Sequence, residues 1–212
     1  MPTDRKPSIS PRKKPRQARS TQLVDDVLEA AIRVLLRDGE RGFTTARVAE
    51  EAGVSVGSLY QYFPNKAALL FRLQADEWKD TWEIVESVLT SRTKAPRERL
   101  AEATVIFFRS EREELPLRTA LEAAVRALDD HPDAVAHLER AHGTLMAFAA
   151  EVAPLSPPVR RARVAEIVMT SLAALGERLS RRSYTRAEVD TWARECADMH
   201  WSAFVALRET LE

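Results

Sequence analysis

The chain has 212 residues, 45% hydrophobic and 30% charged, which is enough apolar content for a sizeable core and more charge than an average domain carries. Thirty-two Lys and Arg balance thirty-two Asp and Glu, and a single cysteine excludes an internal disulfide and fits a reducing, cytoplasmic setting. No apolar run reaches the roughly 18 residues of a membrane-spanning helix, and the basic, Pro-containing amino terminus lacks the apolar stretch of a secretory signal.

Zero net charge hides a gradient. Residues 1–66 hold twelve Lys and Arg against eight Asp and Glu, and the remainder holds twenty against twenty-four. Residues 1–22 alone set seven basic side chains against Asp4, interrupted by Pro2, Pro7, Pro11 and Pro15. A basic tail over 1–19, disordered when free, is therefore expected. It serves either as a solvated arm or as added affinity for a nucleic acid.

A first helix is predicted over 21–38, where Val24, Val27, Leu28, Ala31 and Leu35 recur at helical spacing before Gly39. Residues 44–63 then read as two short helices joined by a tight turn. Val48, Val54 and Leu59 supply a small shared core, and Ala49 lets the second helix pass close to the first. Gly53 can take the positive φ of a sharp helix exit. Thr45 and Ser55 are placed to cap the two helix starts. The second helix, predicted over 56–62, turns Val56, Gly57, Ser58 and Gln61 outward, a small or polar face that suits a groove better than a core. It is also too short to persist without packing, since isolated helices below about 12 residues are marginal. This pattern is a helix-turn-helix built to lay its second helix against DNA.

The run from Ala30-Ala31 to Gly39, then Phe43-Thr44-Thr45, Val48-Ala49, Ala52-Gly53-Val54-Ser55, Gly57-Ser58-Leu59-Tyr60-Gln61-Tyr62-Phe63, Lys66 and Leu69-Leu70, resembles the amino-terminal domain of the tetracycline-repressor (TetR) family. It departs at Tyr62, where many members carry histidine. The resemblance implies that Thr45, Tyr60 and Lys66 contact phosphates. Val56, Gly57 and Ser58 would approach base edges, with Arg47 as a second reader and Ser55 and Tyr62 beside them. Tyr60 could alternatively be a half-buried core aromatic and Lys66 a solvated lysine. The resemblance further implies an all-α fold, in which a three-helix helix-turn-helix DNA-binding domain over 20–66 precedes a helical ligand-binding and dimerisation domain over 67–212.

Further helices are predicted over 66–89, 97–110 and 117–130, from 132 to about 152, and, after the Pro154-Leu155-Ser156-Pro157-Pro158 break, over 159–182 and 185–211. Trp78, Trp82, Phe107, Phe108 and Phe148 could line a cavity or fill the core. The last helix carries apolar residues on two sides. Leu172 and Leu175, with Trp192, Cys196, Met199, Ala203 and Leu207, are thus the expected dimer interface, as a four-helix bundle between subunits. Cys196 and His200, four apart, form the one metal-like pair, and no third ligand accompanies them, so no metal and no cofactor are expected.

No G-x-S-x-G, phosphate-cradling glycine loop or H-E-x-x-H is present, and no enzyme is expected. The resulting reading is a homodimeric transcriptional regulator. It would be a repressor on a palindromic double-stranded operator, released by a small-molecule effector of unknown identity. An activator is one alternative. A helical sensor or enzyme whose helix-turn-helix serves protein contacts is the other.

Overall fold

A computed structural model describes residues 18–125 and 132–209. The expected basic tail lies outside them except for residues 18 and 19, which already belong to the first helix. The end of the predicted sixth helix also lies outside. Nine helices and no strand occur among the described residues: α1 (Ala18–Gly42), α2 (Thr45–Glu51), α3 (Val56–Tyr60), α4 (Lys66–Thr90), α5 (Pro96–Glu113), α6 (Leu115–Val125), α7 (Pro132–Val152), α8 (Pro158–Ser180) and α9 (Arg186–Ala206). None is long and apolar enough to cross a membrane.

The chain divides into two compact units, residues 1–77 with 116–131 and residues 78–115 with 132–212. This partition differs from the expected boundary at 66/67. Leu69, Leu70 and Leu73 of α4 and Leu121 of α6 are buried in the core of the first unit. A segment whose apolar side chains complete one core belongs to that unit, whatever its place in the sequence.

The first unit is built around the apolar stripe of α1. Val24, Val27, Leu28, Ala31, Val34 and Leu35 pack with Phe43, Val48, Ala49, Leu59 and Phe63. Helical geometry breaks at Gly39, which takes φ +66°, and a short second helical segment carries α1 on to Gly42. At the end of α2, Gly53 takes φ +67°. Its N–H donates to the Glu50 carbonyl at 3.1 Å and the Val54 N–H to the Ala49 carbonyl at 2.9 Å. This is the paired bond of a Schellman cap, and a Cβ at 53 would strain it.

The second unit packs α5 against α8 and α9, and α7 against α8. The α5–α8 crossing depends on Gly176, where a Cβ would sit 2.9 Å from Glu111 Cγ and 3.0 Å from Phe107 Cε1. Arg99 is buried within this unit and donates to the Leu89 carbonyl and the Glu151 carboxylate, with Phe148 beneath its guanidinium. Arg109 binds both carboxylate oxygens of Asp190, joining α5 to α9.

Only Glu114 separates α5 from α6, whereas a wider gap is predicted around Pro116. Proline at the second position of a helix loses no hydrogen bond, because that N–H has no intrahelical partner. The last helix ends at Ala206, short of the predicted 211.

Candidate nucleic-acid interface

The candidate recognition element, α3, is a helix of five residues, and its local chemistry shows why it forms. Ser55 is the N-cap, with extended backbone, and its Oγ accepts from the Ser58 N–H at 3.0 Å. Leu59 is the one buried side chain of α3, fully enclosed against α1 and α2. Beyond Tyr60 the chain continues as a turn, with the Phe63 N–H donating to the Leu59 carbonyl at 2.9 Å. The exposed residues are Val56, Gly57, Tyr60 and Gln61, with Ser58 partly covered. No atom approaches the Cβ position of Gly57 closer than Ser55 Oγ at 3.8 Å, so a second backbone has room there.

The start of α2 lies beside this face. Its N-cap is Thr44 rather than the expected Thr45: Thr44 Oγ1 accepts from the Arg47 N–H at 3.2 Å. Thr45 is thereby free for another role, and its Oγ1 lies 3.1 Å from Tyr60 Oη. Tyr60 is 38% exposed, so the pair presents two hydroxyls at the surface rather than a core aromatic.

Three expected contact residues sit in other company than the sequence implies. Tyr62 is 7% exposed and packs in the core with Leu59 and Phe63. It falls after the last turn of α3, three residues from Leu59 on the same side, and so turns inward. Lys66 donates from Nζ to the Glu40 carbonyl at 2.7 Å and lies 5.8 Å from the centroid of Phe43. The start of α4 is thus tied to the broken end of α1, and two of the three ammonium protons remain for another acceptor. Arg47 Nη1 pairs with Asp38 at 3.3 Å and donates to the Gly42 carbonyl at 3.1 Å, so it is turned toward α1.

Asp38 and Glu51 anchor a charged groove between α1 and α2, lined by Arg37, Asp38, Arg47, Glu50 and Glu51. Arg37 donates to both carboxylates, at 3.0 Å and 2.8 Å, and Arg33 reaches Glu51 at 3.1 Å. Hydrogen bonds from Arg37 hold the Asp38 and Glu51 carboxyls below the usual carboxylate range. Neither Asp38 nor Thr44 is singled out in the sequence. Thr44 carries a readable signal as the first of two adjacent hydroxyl residues before an apolar run, whereas Asp38 carries none.

The residues expected in the second unit divide differently from the prediction. Phe108 is buried with Leu179, Val189, Ala193 and Cys196, while Phe148 is buried in another cluster against the edge of Phe204. Phe107 touches both clusters, and Trp78 and Trp82 flank His137. Trp82 and Phe107 thus pack against the same cluster that holds Phe148, and Phe107 links it to the cluster of Phe108.

On the expected interface, Cys196 and Leu207 are buried inside their own chain, because they share the α9 face of Val189, Ala193, His200 and Phe204. Trp192 (46% exposed) and Met199 (53%) point out, along the row 192, 195, 199, 202, 206. Leu172, Leu175 and Ala203 are partly covered, and Ile167 of α8 is an exposed apolar residue the prediction omits. His200 is held by both ring nitrogens, Nε2 lying 2.7 Å from Ser171 Oγ and Nδ1 3.7 Å from Cys196 Sγ. Cys196 and His200 are both buried, and no cluster of three potential metal ligands occurs among the described residues.

Residues 27–73 match the family model of the bacterial regulatory proteins of the tetR family. The transcriptional repressor DrrR1 of Streptomyces coeruleorubidus is 38% identical over 68 residues, which is 32% of this chain and 23% of that protein. The transcriptional regulator BetI of Brucella anthropi is 30% identical over 83 residues, 39% of this chain and 42% of that protein. The chain thus spans less than half the length of these curated relatives. Likeness in fold extends much further. A tetR-family regulator from Mesorhizobium loti superposes with TM-score 0.66 at 17% identity, covering 88% of this chain and 98% of the other. The fatty acid degradation regulator FadR of Bacillus halodurans gives 0.64 at 15%, covering 82% and 97%. Residues 27–73 thus carry a match to the amino-terminal part of the tetR family of bacterial regulatory proteins, and the fold of the described residues is similar to that of solved tetR-family regulators.

Proposed function

We propose that this protein is a sequence-specific DNA-binding transcriptional regulator, a repressor that occupies a palindromic operator as a homodimer and leaves it when a small molecule binds. The observation that carries the DNA reading is α3 itself. A five-residue helix with one buried side chain and an N-cap has no evident purpose as a core element, and its outward face is small enough to enter a major groove. Thr45 and Tyr60, paired through their hydroxyls beside that face, are placed to share a phosphate and fix the register of α3. Lys66, held at the start of α4, adds a cation. Val56, Gly57 and Ser58 then meet base edges.

Dimerisation through α8 and α9 is supported by their outward apolar residues Ile167, Trp192 and Met199, beside Ala173 and Ala174, which permit close approach. Repression and release by an effector rest on the family and on the name of one relative. The second unit supplies helices through which an effector would act, by favouring a dimer whose recognition helices are wrongly spaced.

Fluorescence anisotropy with duplex DNA tests the assignment. Tyr60→Phe and Lys66→Arg separate hydroxyl and charge from packing, and Tyr60→Phe weakens binding to every sequence alike. Lys66→Ala, with its stability measured alongside, weakens binding and makes its salt dependence shallower by about one ion. Val56 and Ser58 substitutions change which base pairs are preferred. Uniform weakening across a sequence library by the last pair removes them from the base-reading role.

A further inference from the structure

We propose that Asp38 is a positioning residue that holds the Arg47 guanidinium away from the duplex, so that the protein binds DNA less tightly than its cations allow. The proposal rests on the DNA reading above and adds a residue that no motif singles out. Arg47 stands in the first turn of α2, two residues after Thr45, and its side chain is about half exposed (54%). It shares the first turn of α2 with Thr45, one of the hydroxyl pair assigned to phosphate, though on another side of the helix. Yet its Nη1 is turned back to Asp38 Oδ2 and the Gly42 carbonyl, while Nε and Nη2 make no hydrogen bond among the described residues.

Room for this arrangement comes from Gly42. A Cβ there would lie 2.7 Å from Asp38 Cβ and 3.1 Å from Arg47 Nη1, so only glycine leaves space for the guanidinium over the carbonyl. Asp38 itself cannot swing away freely. Arg37 binds both of its oxygens, and Arg37 is in turn fixed by Glu51. The carboxylate is therefore a stiff anchor within the first unit, and Arg47 is the mobile member of the pair. An exposed ion pair of this kind is weak enough for a phosphate to compete with it. The latch thus lowers affinity without abolishing the contact.

The test is a double-mutant cycle on the full chain, read by anisotropy with a labelled mixed-sequence duplex over a range of salt, which reports phosphate contacts without knowledge of the operator. Asp38→Asn is expected to tighten binding about two- to fivefold and to steepen the salt dependence by about one ion. In an Arg47→Ala background Asp38→Asn should do neither. Equal tightening by Asp38→Asn with and without Arg47 would show a through-space charge effect and overturn the latch. Unchanged or weaker binding in Asp38→Asn also overturns it, the weaker case meaning that Asp38 aims Arg47 at the DNA. A wild-type protein with no salt-dependent affinity for the duplex would sink the DNA reading itself, a result distinct from all of these.

Discussion

Truncation of Leu59 to alanine isolates the packing that seats the recognition helix. Leu59 is fully enclosed and is the only buried side chain of α3, so its branch is what fixes that helix on α1 and α2. Removing a buried leucine branch costs about 2–5 kcal/mol, the spread reflecting how far the site collapses. In a unit of roughly 60–100 residues each kcal/mol moves the thermal midpoint by roughly 4–8 °C. The lower limit therefore predicts a fall of about 8–16 °C in the transition of the first unit. Affinity for DNA falls too, because only the fraction with α3 docked is competent and the apparent Kd rises as the inverse of that fraction. Calorimetry and anisotropy on the same samples measure both effects. Val56→Ala, on the exposed side of the same helix, serves as the control and should leave the midpoint within about 4 °C, since surface substitutions stay within about 0.5 kcal/mol. If Leu59→Ala melts like the wild type, α3 is held by something other than this contact, and the packing argument fails.

The other predictions concern the second unit. Gly176→Ala should lower its midpoint, since the new Cβ meets both Glu111 Cγ at 2.9 Å and Phe107 Cε1 at 3.0 Å, which puts the cost in the upper part of the about 1–3 kcal/mol of overpacking, above the helix-propensity gain of about 1 kcal/mol; an unchanged or higher midpoint contradicts this. Burial pushes the Cys196 thiol up to about 11, so a thiol reagent at neutral pH should label the native chain far more slowly than the denatured one. Burial also holds His200 below its ordinary value, so the unfolded state takes the proton first. Stability should fall as pH drops below about 6.5, and His200→Gln should flatten that part of the profile. Trp192→Asp or Met199→Asp should convert a dimer to monomer in sedimentation experiments at unchanged helix content. If both variants keep the wild-type mass, α9 does not form the interface.

Local backbone requirements were the most legible part of the sequence. Gly39 and Gly53, expected to end helices, both take positive φ, and Ser55 caps the helix that follows it. Each of these depends on neighbours within a few residues. The shift of the α2 cap from Thr45 to Thr44 shows the limit of that reading, because two adjacent hydroxyls offer the same chemistry and only backbone geometry chooses between them. Arg47 shows a second limit: its partners Asp38 and Gly42 lie on the other side of the turn after α1, where periodicity carries no information. The same holds for α9. Its apolar residues cover most of the helix, and the sequence alone could not say that Cys196 and Leu207 face inward while Trp192 and Met199 face out.

Selection of fragments bound from the source organism's genomic DNA by the purified protein is the most direct test of the central claim. Recovered fragments should share an inverted repeat whose half-site centres lie about one helical turn apart, ~34–36 Å, or a multiple of it. Affinity for that site should fall steeply as salt rises. Fragments without a shared sequence, together with no salt-dependent binding to any duplex, would contradict the account.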